Sequence, residues 1–388
     1  MDDTRKALRD VFGTQMFENV QVLQKPQDDP AQQHLIDVEV LVKERPAKTA
    51  EIECEWAVQP GDKGRPSLAS YVPGGSLLFE HRNLGGNGTQ LSALITTQNF
   101  LQPVDDLGFK VDLRRPYVFG TEDPKKTSLA ATAFNARKLS SVFLSNGGTE
   151  VPPVWVDRAG VKVGLSESYN RNSKGSLSVV MESVSCRDDS GAPCTAGQRT
   201  GYDGQPQSGP PTTLSDSGND KLVFLQGDLV RDATYFKHGV LLGARDILTV
   251  DQGLGIGSAF PVFNRATLSA TRFLPLDLPT TSKAPASLVL HGKVGNTVGD
   301  VASYDYFTLG GPFSCRGYNI GELGSARRFV ELAAELRHPI PKTSGQVRFC
   351  RLDPERVCAA AQPACARMSF VSFGVMAMTY QSTKSLAD

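Results

Sequence analysis

Between Ala47 and Ile340 the chain repeats one texture. Segments of about ten residues alternate apolar and polar, and turn signals separate them. A period of two puts every second side chain on the same face of a strand. "GFKVDLRRPY" sets Phe109, Val111 and Leu113 against Lys110, Asp112 and Arg114. "GVKVGLSES" sets Val161, Val163 and Leu165 against Lys162, Gly164 and Ser166. "LVFLQGDLV" sets Val223, Leu225 and Leu229 against Phe224, Gln226 and Asp228. "SLVLHGKVG" sets Leu288, Leu290 and Val294 against His291 and Lys293. "FVELAAELR" sets Val330, Leu332, Ala334 and Leu336 against Glu331, Ala333, Glu335 and Arg337. Roughly twelve such segments occur. Val179–Val180 and Leu241–Leu242 break the pattern.

Two architectures alternate in this way. A soluble β-rich module shows one face to its core and the other to water, but its strands average about five or six residues. A membrane-spanning strand needs about 9–11 residues, with one face on lipid and one on a polar lumen. The segment length and the charged polar face favour a transmembrane antiparallel β-barrel. No run approaches the 18 apolar residues of a spanning helix, which leaves strands untouched.

Composition excludes several classes. Lys plus Arg equals Asp plus Glu at 41 each, so no basic excess points to nucleic acid. No two of the seven cysteines make a CxxC pair, which argues against a zinc site. His34, His81, His238, His291 and His338 are dispersed. There is no GxSxG, HExxH or P-loop, and "GLGIGS" follows a strand pattern without opening a helix. The reading is a protein that is not an enzyme and has no cofactor or metal. Glu80, Arg82, Lys110, Asp112, Arg114, His291 and Lys293 then read as polar lumen residues.

Upstream, Thr4–Phe17 has helical spacing. "NVQVLQKPQ" and "HLIDVEVLVKERP" read as a β-hairpin, with Val20, Val22, Ile36, Val38, Val40 and Val42 on one side. "MDDTRKALRD" has neither a signal core nor a transit pattern, so Met1 reads as lying inside a domain rather than at the natural start.

The long loop 303–325 contains "GGPFSCRGY", with a single Arg316 between Cys315 and Gly317. A long loop rich in aromatics reads as functional. "SYDYFTLGGPFSCRGYNIGELGSARRFVELAAELRHPI" resembles the sixth extracellular loop and twelfth strand of the BamA-type outer-membrane assembly and translocation superfamily. That family carries Val-Arg-Gly-Phe/Tyr there. Cys315 replaces the valine, and Arg316, Gly317 and Tyr318 match. "VPPVWVDRAGVK", "GPPTTLS", "VDQGLGIGSAFPVFNR" and "GGSLLFEHRNL" resemble its plastid branch, the channel subunits of the translocon at the outer envelope of chloroplasts.

The resemblance implies a domain plan. Residues 1–46 would be part of the last polypeptide-transport-associated (POTRA) domain. Residues 47–342 would be strands one to twelve of a sixteen-stranded barrel, with 303–325 as the lumen loop. Residues 343–388 depart from the family and form a divergent tail, in which Ser369–Tyr380 has the pattern of one strand. A truncated gene model leads the explanations for that tail.

The resemblance also implies a protein-conducting channel in the plastid outer membrane. Its partners would be precursor polypeptides, membrane lipid, receptor GTPases and other translocon subunits. A barrel-assembly factor of the same superfamily is the alternative. Gly310, Gly311, Phe313, Arg316, Gly317 and Tyr318 would form the lumen-loop motif. Arg316 would meet a carboxylate of the inner wall, and Glu331 and Glu335 are the candidates in this chain. A guanidinium suits that role because its planar fork fixes orientation as well as energy.

Overall fold

The computed structural model describes residues 8, 11–12, 14, 16–26, 36–339 and 370–373. Within 36–339 it leaves out 56–57, 61–65, 69–73, 98–99, 101–106, 121–125, 144–152, 189, 201–205, 216, 258–259, 277–284, 312–313, 316–317 and 319.

Most of the expected helix Thr4–Phe17 lies outside the described residues; Leu8, Val11 and Phe12 are helical. Phe17 already belongs to a strand, where it pairs with Glu44 across a register shift between Phe17 and Asn19. The hairpin pairs β1 (Phe17–Pro26) with β2 (Ile36–Glu44), and Val20 faces Val42 while Val22 faces Val40.

Next come β3 (Lys48–Glu55) and a small hairpin of β4 (Val58–Pro60) and β5 (Pro66–Leu68). Six long strands follow: β6 (Gly74–Leu84), β7 (Thr89–Thr97), β8 (Gly108–Pro116), β9 (Thr127–Leu139), β10 (Trp155–Asn170) and β11 (Ser173–Arg187). A side hairpin, β12 (Ala196–Thr200) and β13 (Pro206–Pro211), interrupts the series. It resumes with β14 (Asn219–Asp232), short β15 (Tyr235–Lys237), β16 (Val240–Gly253), β17 (Phe263–Leu276) and β18 (Ala286–Gly299). The short pair β19 (Phe307–Thr308) and β20 (Ser325–Ala326) closes the base of the loop. The last strands are β21 (Arg328–Pro339) and β22 (Phe370–Phe373).

One 14-stranded antiparallel sheet collects the long strands in chain order from β3 to β22, with β15 paired to β16. β22 covers the start of the Ser369–Tyr380 segment, and the rest of that segment lies outside the described residues. Among the described residues no ladder joins β3 to β22.

The sheet has two unlike faces. Leu229, Leu248, Leu268, Val294 and Val330 sit directly opposite one another across five neighbouring strands. The first four are exposed, as are Val161, Val163, Leu177, Met181 and Leu332. A continuous exposed apolar band this wide is not the surface of a soluble monomer. It is the lipid-facing belt of a spanning sheet. The opposite face carries the charged residues. The broken alternations have local causes. Val180 is buried on the polar face while Val179 stays exposed, and Leu242 is covered where β15 pairs with β16.

Long connections gather at one end of the sheet: 188–218, 254–262 and 300–327. Under them lies a core of Phe143, Val154, Val184, Cys186, Leu222, Phe263 and Tyr304, among others. At the other end, β10 passes into β11 within Asn170–Ser173.

Candidate functional site

The segment after β18 turns back onto the polar face. Ala302–Tyr306 forms one tight turn, in which the Asp305 and Tyr306 N–H groups donate to Ala302 and Ser303 carbonyls at 3.1 Å each. That turn presents Tyr304 and Asp305 to the wall. Arg158 Nη2 donates to Asp305 Oδ1 at 2.5 Å, and Arg265 Nη1 donates to the same oxygen at 3.1 Å. Arg158 Nη1 also donates to Glu182 Oε1 at 2.9 Å. The Tyr304 hydroxyl donates to Asp220 Oδ2 at 3.2 Å, and the Arg158 guanidinium lies 5.1 Å from the Tyr304 ring centre. Burial, with the Asp305 and Asp220 charges nearby, pushes the Tyr304 hydroxyl well above the ordinary tyrosine range.

This contact fixes the shape of the sheet. Arg158 is on β10 and Arg265 on β17, four strand steps apart. In register Arg265 lies across from Gly164, six residues from Arg158; at about 4.8 Å per step and about 3.3 Å per residue, a flat sheet would separate the two arginines by about 28 Å. One carboxylate oxygen touches both side chains, so the sheet curls around the loop and the polar face is the inside.

The loop beyond is compact. The Leu309 N–H donates to the Gly324 carbonyl at 3.0 Å, and the Gly311 N–H donates to Tyr318 at 2.9 Å. Two glycines permit the close packing. Gly311 has φ +104°, and an added Cβ would lie 2.7 Å from Ile320. Gly321 has φ +81°, and its Cβ would lie 2.3 Å from the Ser141 carbonyl oxygen. Cys315 is a buried free thiol, and such a cysteine behaves as a small hydrophobe.

The expected site residues fall into three groups. Gly310, Gly311 and Tyr318 lie in this loop, with both glycines buried and Tyr318 half exposed. Phe313, Arg316 and Gly317 lie outside the described residues. Glu331 and Glu335 share the inner face of β21. Glu331 is 2% exposed, and its Oε1 has no hydrogen-bond partner among the described residues. Glu335 accepts from Arg337 Nε at 2.9 Å.

Each of the remaining polar residues contacts a neighbour on the sheet. Arg82 meets Glu80 at 3.1 Å, and Lys110 meets Asp112 at 2.7 Å. Arg114 Nε donates to Ser128 Oγ at 3.3 Å. His291 Nδ1 lies 2.9 Å from Thr271 Oγ1. Lys293 lies 5.5 Å from the centre of the Phe329 ring and directly opposite Glu331.

Sequence reasoning missed Asp305, Tyr304, Arg158, Glu182, Arg265, Asp251 and Asp220. A signal existed for Arg158 and Asp220, since the alternation of "GVKVGLSES" and of "LVFLQGDLV" extended backward puts them on the faces of Lys162 and Gln226.

The sequence profile of the Omp85 superfamily domain matches residues 83–352. The chain belongs to the Omp85 superfamily. It is 47% identical over 344 residues to Protein TOC75, chloroplastic, of Pisum sativum, covering 87% of this chain and 42% of that protein. Identity to Protein TOC75-3, chloroplastic, of Arabidopsis thaliana is 46% with the same coverage. Protein TOC75-4, chloroplastic, of Arabidopsis thaliana is 38% identical over 72% of each chain. The chain thus spans about two fifths of the length of the first two relatives. Among solved structures, an Omp85 fold match is BamA from Haemophilus ducreyi lacking POTRA domains 1–3. It has TM-score 0.60 and 13% identity, covering 89% of this chain and 63% of that one. The fold is that of a transmembrane β-barrel, and the apolar belt and polar interior follow from it.

Proposed function

We propose that this chain supplies wall and lumen loop of a protein-conducting β-barrel that imports precursor proteins across the chloroplast outer envelope. The observation that carries the reading is Asp305 held between Arg158 and Arg265, which supports a loop seated inside a charged barrel. An interior lined by mobile-length polar side chains and ion pairs suits an extended polypeptide, which needs hydrogen-bonding partners and no fixed sequence match. The TOC75 relatives support the plastid setting. The β1–β2 hairpin and the helical residues before it read as part of a POTRA-type domain. Receptor GTPases and the remaining translocon subunits would be contributed by the envelope. No bond is made or broken in this function.

We read Arg316 as the partner of Glu331. A carboxylate so deeply buried with an unfilled oxygen needs a charged donor, and the loop that carries Arg316 packs inside the same barrel. The test of the main reading is conductance of the full-length protein in planar bilayers. Unfolded precursor added to one side is expected to block the current, and the same precursor without its targeting segment is not. Equal block by both, or block by neither, contradicts it.

A further inference from the structure

The two arginines that grip Asp305 are not equally committed to it. Arg158 holds Glu182 with its other nitrogen at 2.9 Å. Arg265 faces Asp251 directly across the β16–β17 ladder, with Nε 3.8 Å from Asp251 Oδ2. That spacing is too long for a hydrogen bond. Asp251 is buried, and its other oxygen, Oδ1, has no hydrogen-bond partner among the described residues. Lys162, the next cation, donates instead to Gln226 at 2.6 Å. All these groups line one pocket of about 230 Å³ on the barrel interior.

We propose that Asp251 is a stand-in partner for Arg265, so that the lumen loop leaves the wall by a carboxylate exchange. With the loop docked, Arg265 bonds Asp305 and leaves Asp251 underfilled. With the loop released, Arg158 keeps Glu182, and Arg265 closes by about 1 Å to make a charge-assisted bond to Asp251. The four wall charges, Arg158, Arg265, Glu182 and Asp251, sum to zero without the loop. Only Lys162, which is half-buried and bonded to a neutral amide, loses a counter-charge. Release therefore strands no guanidinium, and stranding a buried charge is what makes most buried ion pairs costly to open. In the docked state Asp251 and Asp305 are like charges on either side of one cation, which also favours release. The inference rests on the loop being a lumen element of the proposed channel and names what regulates its position.

The exchange predicts opposite signs for two neutralising substitutions. Asp305→Asn removes the docked contact and frees the loop. Asp251→Asn removes the released-state contact and the repulsion, and holds the loop in. The test is amide hydrogen exchange of residues 303–311 in the full-length protein in lipid vesicles, at fixed pH and without precursor. Asp305→Asn is expected to speed exchange about tenfold and Asp251→Asn to slow it about tenfold, with Asp251→Glu returning it toward wild type. Unchanged or faster exchange in Asp251→Asn overturns the proposal, because a residue that merely braces Arg265 would loosen the wall when altered. If Asp251→Asn does not fold, Asp251→Glu alone decides: wild-type exchange supports the exchange mechanism and faster exchange contradicts it. The readout needs no transport, so failed precursor block with these exchange signs would count against conduction and not against the switch.

Discussion

Arg158 on β10 and Asp305 in the loop after β18 meet at 2.5 Å although 147 residues separate them in sequence. The contact ties the loop to the barrel's inner wall by its base, ahead of the "GGPFSCRGY" tip. Arg158 bridges Asp305 and Glu182, so truncating it orphans the buried Glu182 and leaves Asp305 to Arg265 alone. Arg158→Ala is expected to destabilise the barrel by about 3–5 kcal/mol, measured as a fall in the urea midpoint of vesicle-inserted protein. A change below about 1 kcal/mol, the range of exposed pairs, would place the contact in solvent instead.

Arg316 and Glu331 are expected to act as one unit. Arg316→Ala and Glu331→Gln should each lower stability, and the double variant should lose little more than the worse single one. Their coupling should lie within about 0.5–3 kcal/mol. Additive losses across this double-mutant cycle would separate the two residues.

The apolar belt makes a prediction that a soluble protein would not share. Val163 is exposed near the middle of β10, and its neighbour Lys162 faces inward. Val163→Arg should cost about 2–4 kcal/mol in folding into vesicles, the penalty for a cation at the bilayer midplane. Lys162→Gln should be nearly neutral by the same assay. Equal tolerance of both changes would remove the inside–outside assignment.

Tyr304 gives the loop a response to alkaline pH. Its hydroxyl is held protonated in the folded state, so its pKa is raised above the unfolded value of about 10. The stability linked to it is complete below about pH 10 and is lost as pH rises through the folded value. Ultraviolet titration should therefore show tyrosinate forming late for one of the nine tyrosines. Tyr304→Phe should abolish that late step. A wild-type protein whose tyrosines all titrate together would contradict the buried assignment.

Much of this structure was legible in the sequence. Alternation over long segments set an apolar face against a charged one, and the exposed row Leu229, Leu248, Leu268 and Val294 runs across four neighbouring strands as a period of two requires. The reading of 303–325 as a lumen loop came only through family resemblance. What stayed hidden was the anchor itself. Asp305 looks like any turn residue, and nothing local marks Arg158 and Arg265 as its partners. Their meeting depends on the curl of five strands, a property of register and twist summed over the sheet. The end of the Thr4–Phe17 pattern is hidden for a simpler reason: Phe17 joins the strand through a register shift before Asn19, which no alternation in the sequence marks.

The central claim is that the charged face of the sheet lines a path for polypeptide. A photo-crosslinker placed at Lys110, Lys162 or Val163 of the full-length protein, with a precursor arrested in transit, tests it most directly. The account predicts adducts from positions 110 and 162 and none from 163. Adducts confined to Glu51–Glu55 on β3, the first strand of the sheet, or appearing equally at 162 and 163, would contradict it.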